Sequence, residues 1–183
     1  MRGKTGIRAT SIRIGMDMDI AVCWGAVPKG AGTTGILERA ARFSSETGLT
    51  VQLFDAGAIA GEEHLRSAAM HALRAFERKS MRSSSVGMEM LLYASGRRQI
   101  KDAVAVAGIN DRTRHIAAVL AGEGAAGKSG MLLKALGLKR LTEKEAAGGD
   151  DAVARLGILA RGVPKDRLRE LVLEQVALLD IER

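Results

Sequence analysis

Cysteine, aromatic side chains and long apolar runs are scarce in this chain, and each scarcity excludes something. The lone cysteine, Cys23, rules out an internal disulfide framework and any cysteine-built zinc cluster. It lies in an apolar stretch beside Trp24 and reads as a small core residue, which fits a reducing, cytoplasmic setting. Aromatics make up 3% of the residues, so a core has to be assembled from Ala, Val, Leu, Ile and Met. No apolar run approaches the ~20 residues that cross a bilayer. Low-complexity tracts are missing as well, which argues against global disorder. Met1 to Arg13 is basic, but the apolar run that follows, Ile20 to Val27, is short and is approached through Asp17 and Asp19. That pattern does not suit a signal peptide. Translation is expected to begin at Met16 or Met18, leaving residues 1–16 as a flexible or non-native tail; an intact mass that includes Met1 would refute that start.

What is present is apolar bulk and positive charge. Hydrophobic residues make up 46% of 183 positions, enough for residues 1–183 to form a single domain with its own core. Lys and Arg outnumber Asp and Glu by 28 to 21, a net charge of +7. An excess of that size favours a polyanionic partner, because neutralising phosphates releases condensed counterions; plain solubility is the alternative.

Four short apolar segments read as strands: Ile20 to Val27, Val51 to Ala56, Met88 to Ser95 and Arg114 to Ala121. Helical patterns alternate with them. Ile36 to Thr47 stops at Gly48, Gly61 to Lys79 carries Leu65, Ala69, Ala72, Leu73 and Phe76, and Arg97 to Ala107 stops at Gly108. Beyond residue 121 only helices are expected: Met131 to Leu136, two pieces divided by Gly-Gly-Asp-Asp at 148–151, and a last helix starting near Pro164. The fold class that fits is α+β, a small mixed sheet of about four strands with a helical C-terminal third. Strand–helix alternation keeps a parallel α/β sheet open.

The sharpest enzymatic motif is Gly122-Glu-Gly-Ala-Ala-Gly-Lys128-Ser129, a letter-for-letter Walker A match lying between an expected strand and an expected helix. In a phosphate loop the glycines let backbone N–H groups cradle phosphates, Lys128 would reach the β/γ oxygens and Ser129 would hold magnesium. Against a P-loop nucleotide hydrolase stand the missing later strands and the missing magnesium-organising aspartate; Asp180 follows a helical pattern. His64 and His71 are seven positions apart, wider than the three or four at which zinc ligands sit on a helix. Glu62–Glu63 and Asp150–Asp151 read as a helix first turn and a solvated loop.

A basic constellation is more suggestive. Arg66, Arg74, Arg78 and Lys79 decorate one helix, Arg82 and Ser83-Ser84-Ser85 follow, and Ser95-Gly96-Arg97-Arg98-Gln99 forms the expected turn from a strand into a helix. Such a turn exposes backbone N–H groups to anions, and two arginines there could grip phosphate or stack on bases; a solvated face is the bland reading. The last helix is apolar over more than one stripe. Leu168, Leu171, Val172, Gln175 and Leu179 form one, and Val176, Leu178 and Ile181 widen it, which leaves a buried core helix and a partner-binding helix both open.

Two stretches carry a family likeness. Val51-Gln-Leu-Phe-Asp-Ala56, Ala60-Gly-Glu-Glu-His-Leu65 and His71-Ala-Leu-Arg-Ala-Phe76 form one; Gly87-Met-Glu-Met-Leu-Leu-Tyr-Ala-Ser-Gly96, Arg98-Gln-Ile100 and Gly108-Ile109 form the other. In this order and spacing they resemble the small archaeal subunit of the KEOPS complex, related to the eukaryotic PRPK-binding protein, with Gln175-Val-Ala-Leu-Leu-Asp180 similar to that family's C-terminal helix. The resemblance implies a non-enzymatic subunit without cofactor or metal. KEOPS installs threonylcarbamoyladenosine beside the anticodon of tRNAs that read codons beginning with adenosine, and a separate subunit performs the transfer. It implies two partners, the small atypical kinase/ATPase subunit and the 3′ CCA end of tRNA. By position the tRNA role falls on Ser95, Gly96, Arg97, Arg98 and Gln99, joined by His64, Arg74 and Arg78 if their helix borders the same groove. The kinase role falls on Leu171, Val172, Val176, Leu178 and Leu179.

Overall fold

The computed structural model describes residues 18–159, 162–164 and 167–181. The expected translation start and tail lie outside them. In chain order the elements are β1 (Asp19–Ala26), α1 (Thr33–Thr47), β2 (Thr50–Asp55), a 3-10 turn (Ala56–Ala58), α2 (Glu62–Glu77), α3 (Val86–Ser95) and α4 (Ile100–Ala107). They continue with β3 (His115–Gly122), α5 (Ala125–Leu136), β4 (Lys139–Leu141), α6 (Glu143–Ala146), α7 (Gly149–Arg155) and α8 (Leu168–Ile181).

The α+β expectation stands, with a four-stranded sheet in the order β2-β3-β1-β4. Every pairing is antiparallel, neither mixed nor parallel: β1 lies between β3 and β4, and β2 pairs β3 on its far side. Side chains alternate between the faces of a strand, and in the central strands both faces are apolar. Ile20, Trp24, Ala117, Val119 and Ala121 point into one core with Phe54, where α2, α3 and α8 contribute Leu65, Leu73, Tyr93 and Val176. Ala21, Cys23, Ile116, Ala118 and Leu120 point into the other, beneath α1 and α5 with Ile36, Phe43, Leu132 and Leu133. A smaller cluster joins α7 to α8 through Ala152, Val153, Leu156, Leu168 and Val172.

Two sequence expectations need correcting. Met88–Ser95 is not a strand but the body of α3. Ser85 caps its start by accepting a hydrogen bond from the Met88 N–H at 3.2 Å, and Gly96 ends it in the left-handed region at φ 64°. The helix is buried all round from Glu89 to Ser95, so it lacks the polar face that would mark it as helical. Glu89 tolerates this because its carboxylate accepts from the Arg82 and Ser83 N–H groups and the Ser83 hydroxyl, at 2.8–3.0 Å. The fourth strand is instead β4, three residues with Lys139 and Arg140 exposed, in the region expected to be purely helical.

Candidate functional site: the two flanks of the C-terminal helix

The Walker-like octet does not build a phosphate loop. Helix α5 begins at Ala125, so five of the motif's eight residues are already helical, and Lys128 and Ser129 lie inside the helix rather than at its mouth. Gly122 and Gly124 serve a tight strand-to-helix turn with φ of 137° and 69°, while Ala125 is buried in the core under α1 and α5. The strand feeding the turn is antiparallel to its neighbours. The hydrolase reading is therefore set aside.

The turn at residues 95–99 joins two helices, because α3 replaces the expected strand; the strand-to-helix anion site does not form. Ser95 is fully buried, its hydroxyl donating to the Leu92 carbonyl at 3.1 Å and accepting from the Arg97 N–H at 3.3 Å. Gly96 lies under the Gln175 amide of α8, so close that an added Cβ would be 2.5 Å from its nitrogen. The Arg97 guanidinium donates to the Leu156 carbonyl at 3.1 Å and ties this turn to α7. Arg98 and Gln99 are exposed.

His64 is also structural. It is 3% exposed; its Nδ1 accepts from the Ala60 N–H at 3.3 Å and its Nε2 lies 2.8 Å from the Ala94 carbonyl. Since Nδ1 accepts, Nε2 carries the proton and the ring is neutral. Burial pushes its pKa down to about 4, against the smaller opposing pull of the Ala94 carbonyl.

Arg74 does border a groove. About 570 Å³ of open space lies between α2 and α8, lined by Arg66, Ser67, Met70, His71 and Arg74 on one side and Arg169 and Leu173 on the other, with Glu62, Glu63 and Glu143 at its margin. Arg66 is committed, with two nitrogens 2.7 Å from Glu62 Oε1 and a third donating to the Ile20 carbonyl at 2.9 Å. Arg74 and Arg169 make no ion pair among the described residues. Beside the groove, the buried Tyr93 hydroxyl donates to Asp180 of α8 at 2.7 Å, His71 Nδ1 lies 3.6 Å from its carboxylate and the Arg78 guanidinium 3.9 Å away. Tyr93 and His71 stack at 5.3 Å between ring centres.

Helix α8 thus has three aspects. Leu168, Val172, Val176 and Leu179 face the cores; Arg169, Leu173 and Asp180 face α2. At 100° per residue, Leu171, Gln175 and Leu178 fall on the opposite flank, where Gln175 covers Gly96. Leu178 on that flank is 53% exposed and Ile181, at the end of the helix, 77%; α4 presents Ile100 and Val104 at its own surface. Among the residues singled out for kinase binding, Val172, Val176 and Leu179 are core, and Leu171 and Leu178 reach this flank. The tRNA set is divided: Arg74 and Arg78 lie on the α2 side of α8, Ser95–Gln99 on the other. Arg169 and Leu173 went unrecognised in the sequence; their separation of four residues from a core stripe that starts one residue earlier was the available signal.

A family model described as kinase binding protein CGI-121 matches residues 35–144, well over half of the chain. The chain belongs to that family. No curated protein matches the chain. Membership of the CGI-121 family gives the chain a kinase-binding role. The matched stretch runs from α1 through β4 and includes the α2 wall of the groove and the α3–α4 turn, while α8 lies beyond it. Among the described residues no helix is long and apolar enough to cross a membrane.

Proposed function

We propose that this CGI-121 family member is a non-catalytic subunit of a KEOPS assembly, which holds the small kinase/ATPase subunit and the 3′ CCA end of tRNA during threonylcarbamoyladenosine formation. The family match over residues 35–144 carries the reading. Kinase docking is assigned to the exposed Leu178 and Ile181 and the half-buried Leu171 of α8, with Ile100 and Val104 exposed on α4, because exposed branched apolar side chains suit a partner surface. The unpaired 3′ end is assigned to the groove, where Arg74 and Arg169, without an ion pair among the described residues, line the wall together with the apolar Met70 and Leu173. Single-stranded ends are bound by such combinations of charge and flat packing surface.

Leu178→Asp should weaken binding to the small kinase by tenfold or more in a pull-down or calorimetric titration, with an unchanged melting temperature. Undiminished binding would move the docking surface elsewhere. For RNA, the intact chain should bind tRNA more tightly than the same tRNA lacking its CCA end, and Arg74→Glu should erase that preference. Equal affinity for both tRNAs in the native protein refutes 3′-end recognition and leaves a protein adaptor.

A further inference from the structure

At the end of the sheet where β1 finishes and β3 and β4 begin, the structure collects cations. Ala26 is paired with His115 on one side and Lys139 on the other, and the Val27 N–H donates to the Arg114 carbonyl at 2.8 Å. With strands about 4.8 Å apart, the backbones of Lys29, Arg112, Arg114, Lys139 and Arg140 gather at one edge of the molecule and all five residues are exposed, with the Arg140 guanidinium turned towards Gly130 of α5.

Their setting is rigid. The Asn110–Thr113 turn is closed by three hydrogen bonds, Asn110 N–H to Thr113 Oγ1 at 3.0 Å, Thr113 N–H to the Asn110 carbonyl at 2.9 Å and Arg112 N–H to Asn110 Oδ1 at 2.9 Å. Thr33 ties this turn to the start of α1 through Asp111, with its hydroxyl donating at 2.7 Å and its N–H at 3.3 Å.

The nearby carboxylates are already engaged. Asp111 is held by Thr33, and Glu145 accepts from the Thr142 N–H and hydroxyl, at 2.7 Å each. None of the five cations has a carboxylate within 4 Å among the described residues, and only Lys139 feels one nearby, that of Glu145. This edge carries no phenylalanine, tyrosine or tryptophan, and its one imidazole, His115, is half-buried. The exposed large apolar side chains are Leu37, Phe76, Ile100, Val104, Met131, Leu159, Leu178 and Ile181, and none falls in residues 27–32, 109–116 or 138–142.

We propose that this edge is a second RNA contact, one that grips the sugar–phosphate backbone of a double-stranded segment and reads no bases. It rests on the RNA-binding reading above but uses a separate surface. Exposed cations on an ordered turn, with no ion pair among the described residues and no large exposed apolar side chain beside them, suit phosphates, which position a helix without specifying its sequence. A single-stranded end would instead call for stacking partners. A protein or membrane partner would call for apolar side chains that this edge lacks.

The test compares the full chain with Lys29→Ala/Arg112→Ala/Arg114→Ala and with a charge-matched control, Arg42→Ala/Lys101→Ala/Lys134→Ala. Both are titrated with intact tRNA and with a blunt RNA hairpin that has no unpaired 3′ end, over a range of salt. The edge variant should bind the hairpin about tenfold or more weakly, and its slope of log affinity against log salt should be lower by roughly two to three, near one per lost phosphate contact. The control should keep the native slope. An equal loss in both variants, an unchanged edge variant, or a native chain that binds tRNA and ignores the hairpin would each overturn the proposal. A native chain that binds neither RNA would sink the RNA reading itself.

Discussion

His64 and His71 occupy the same helix and do different work, because α2 buries one flank and leaves the other at the groove. His64 belongs to the stripe that continues through Ala68 and Ala72, all of it interior, and that alanine spacing was legible in the sequence. The hydrogen bonds that lock its tautomer were not, since Ala60 and Ala94 approach it only after folding. With a folded pKa of about 4 against 6.5 for the free side chain, the unfolded chain binds more protons between those values. Stability is then complete above pH 6.5 and declines as pH falls towards 4, by a total on the order of 3 kcal/mol. Thermal melts from pH 7 to pH 4.5 should show that decline, and His64→Gln should flatten this part of the profile while lowering stability throughout. Cys23 makes a simpler case: burial pushes its thiol up to about 12, against a lesser opposing effect of Arg140. It should resist iodoacetamide in the native protein and react on denaturation.

Among the elements, α3 and α8 show what periodicity can and cannot report. Met88-Glu-Met-Leu-Leu-Tyr-Ala-Ser95 reads as a buried strand because a short, mostly apolar run looks the same in either conformation; only Ser85 and Gly96 at its two ends mark a helix. In α8 the apolar residues cover more than one stripe because one serves the core and another is exposed. Val176, at 1% exposure, is core, so Val176→Asp should cost about 3–5 kcal/mol through an unpaired buried charge and impair every activity at once. Leu178→Asp should not. The clasp at Asp180 gives a further test of how α8 is held. Asp180→Ala removes the carboxylate that accepts from the buried Tyr93 hydroxyl and should lower stability by about 1–3 kcal/mol, with faster amide exchange along α8.

For the whole molecule, the order of strand-like and helical segments pointed to an α+β fold and the charge to a polyanionic partner, and the α+β architecture is what forms. Antiparallel pairing was illegible, because β1 finds its partners through β3 and β4, far along the chain, and strand spacing alone carries no pairing information. β4 was invisible because a Lys-Arg-Leu edge strand has no apolar alternation to detect. The central position of β1 and β3, covered on both faces, predicts that their amides exchange slowest of all and only by global opening, ahead of the edge strands β2 and β4. Hydrogen exchange followed by mass spectrometry would measure this directly.

That same pairing has a consequence during synthesis. Asp19 pairs with Gly122 and Ala26 with His115, so β1 leaves the ribosome roughly a hundred residues ahead of the strand that will cover it. At about 5–20 residues per second the delay is on the order of ten seconds. Throughout it an apolar segment stands ready to pair with a neighbouring nascent chain, and the sheet cannot close until β3 has cleared the exit tunnel.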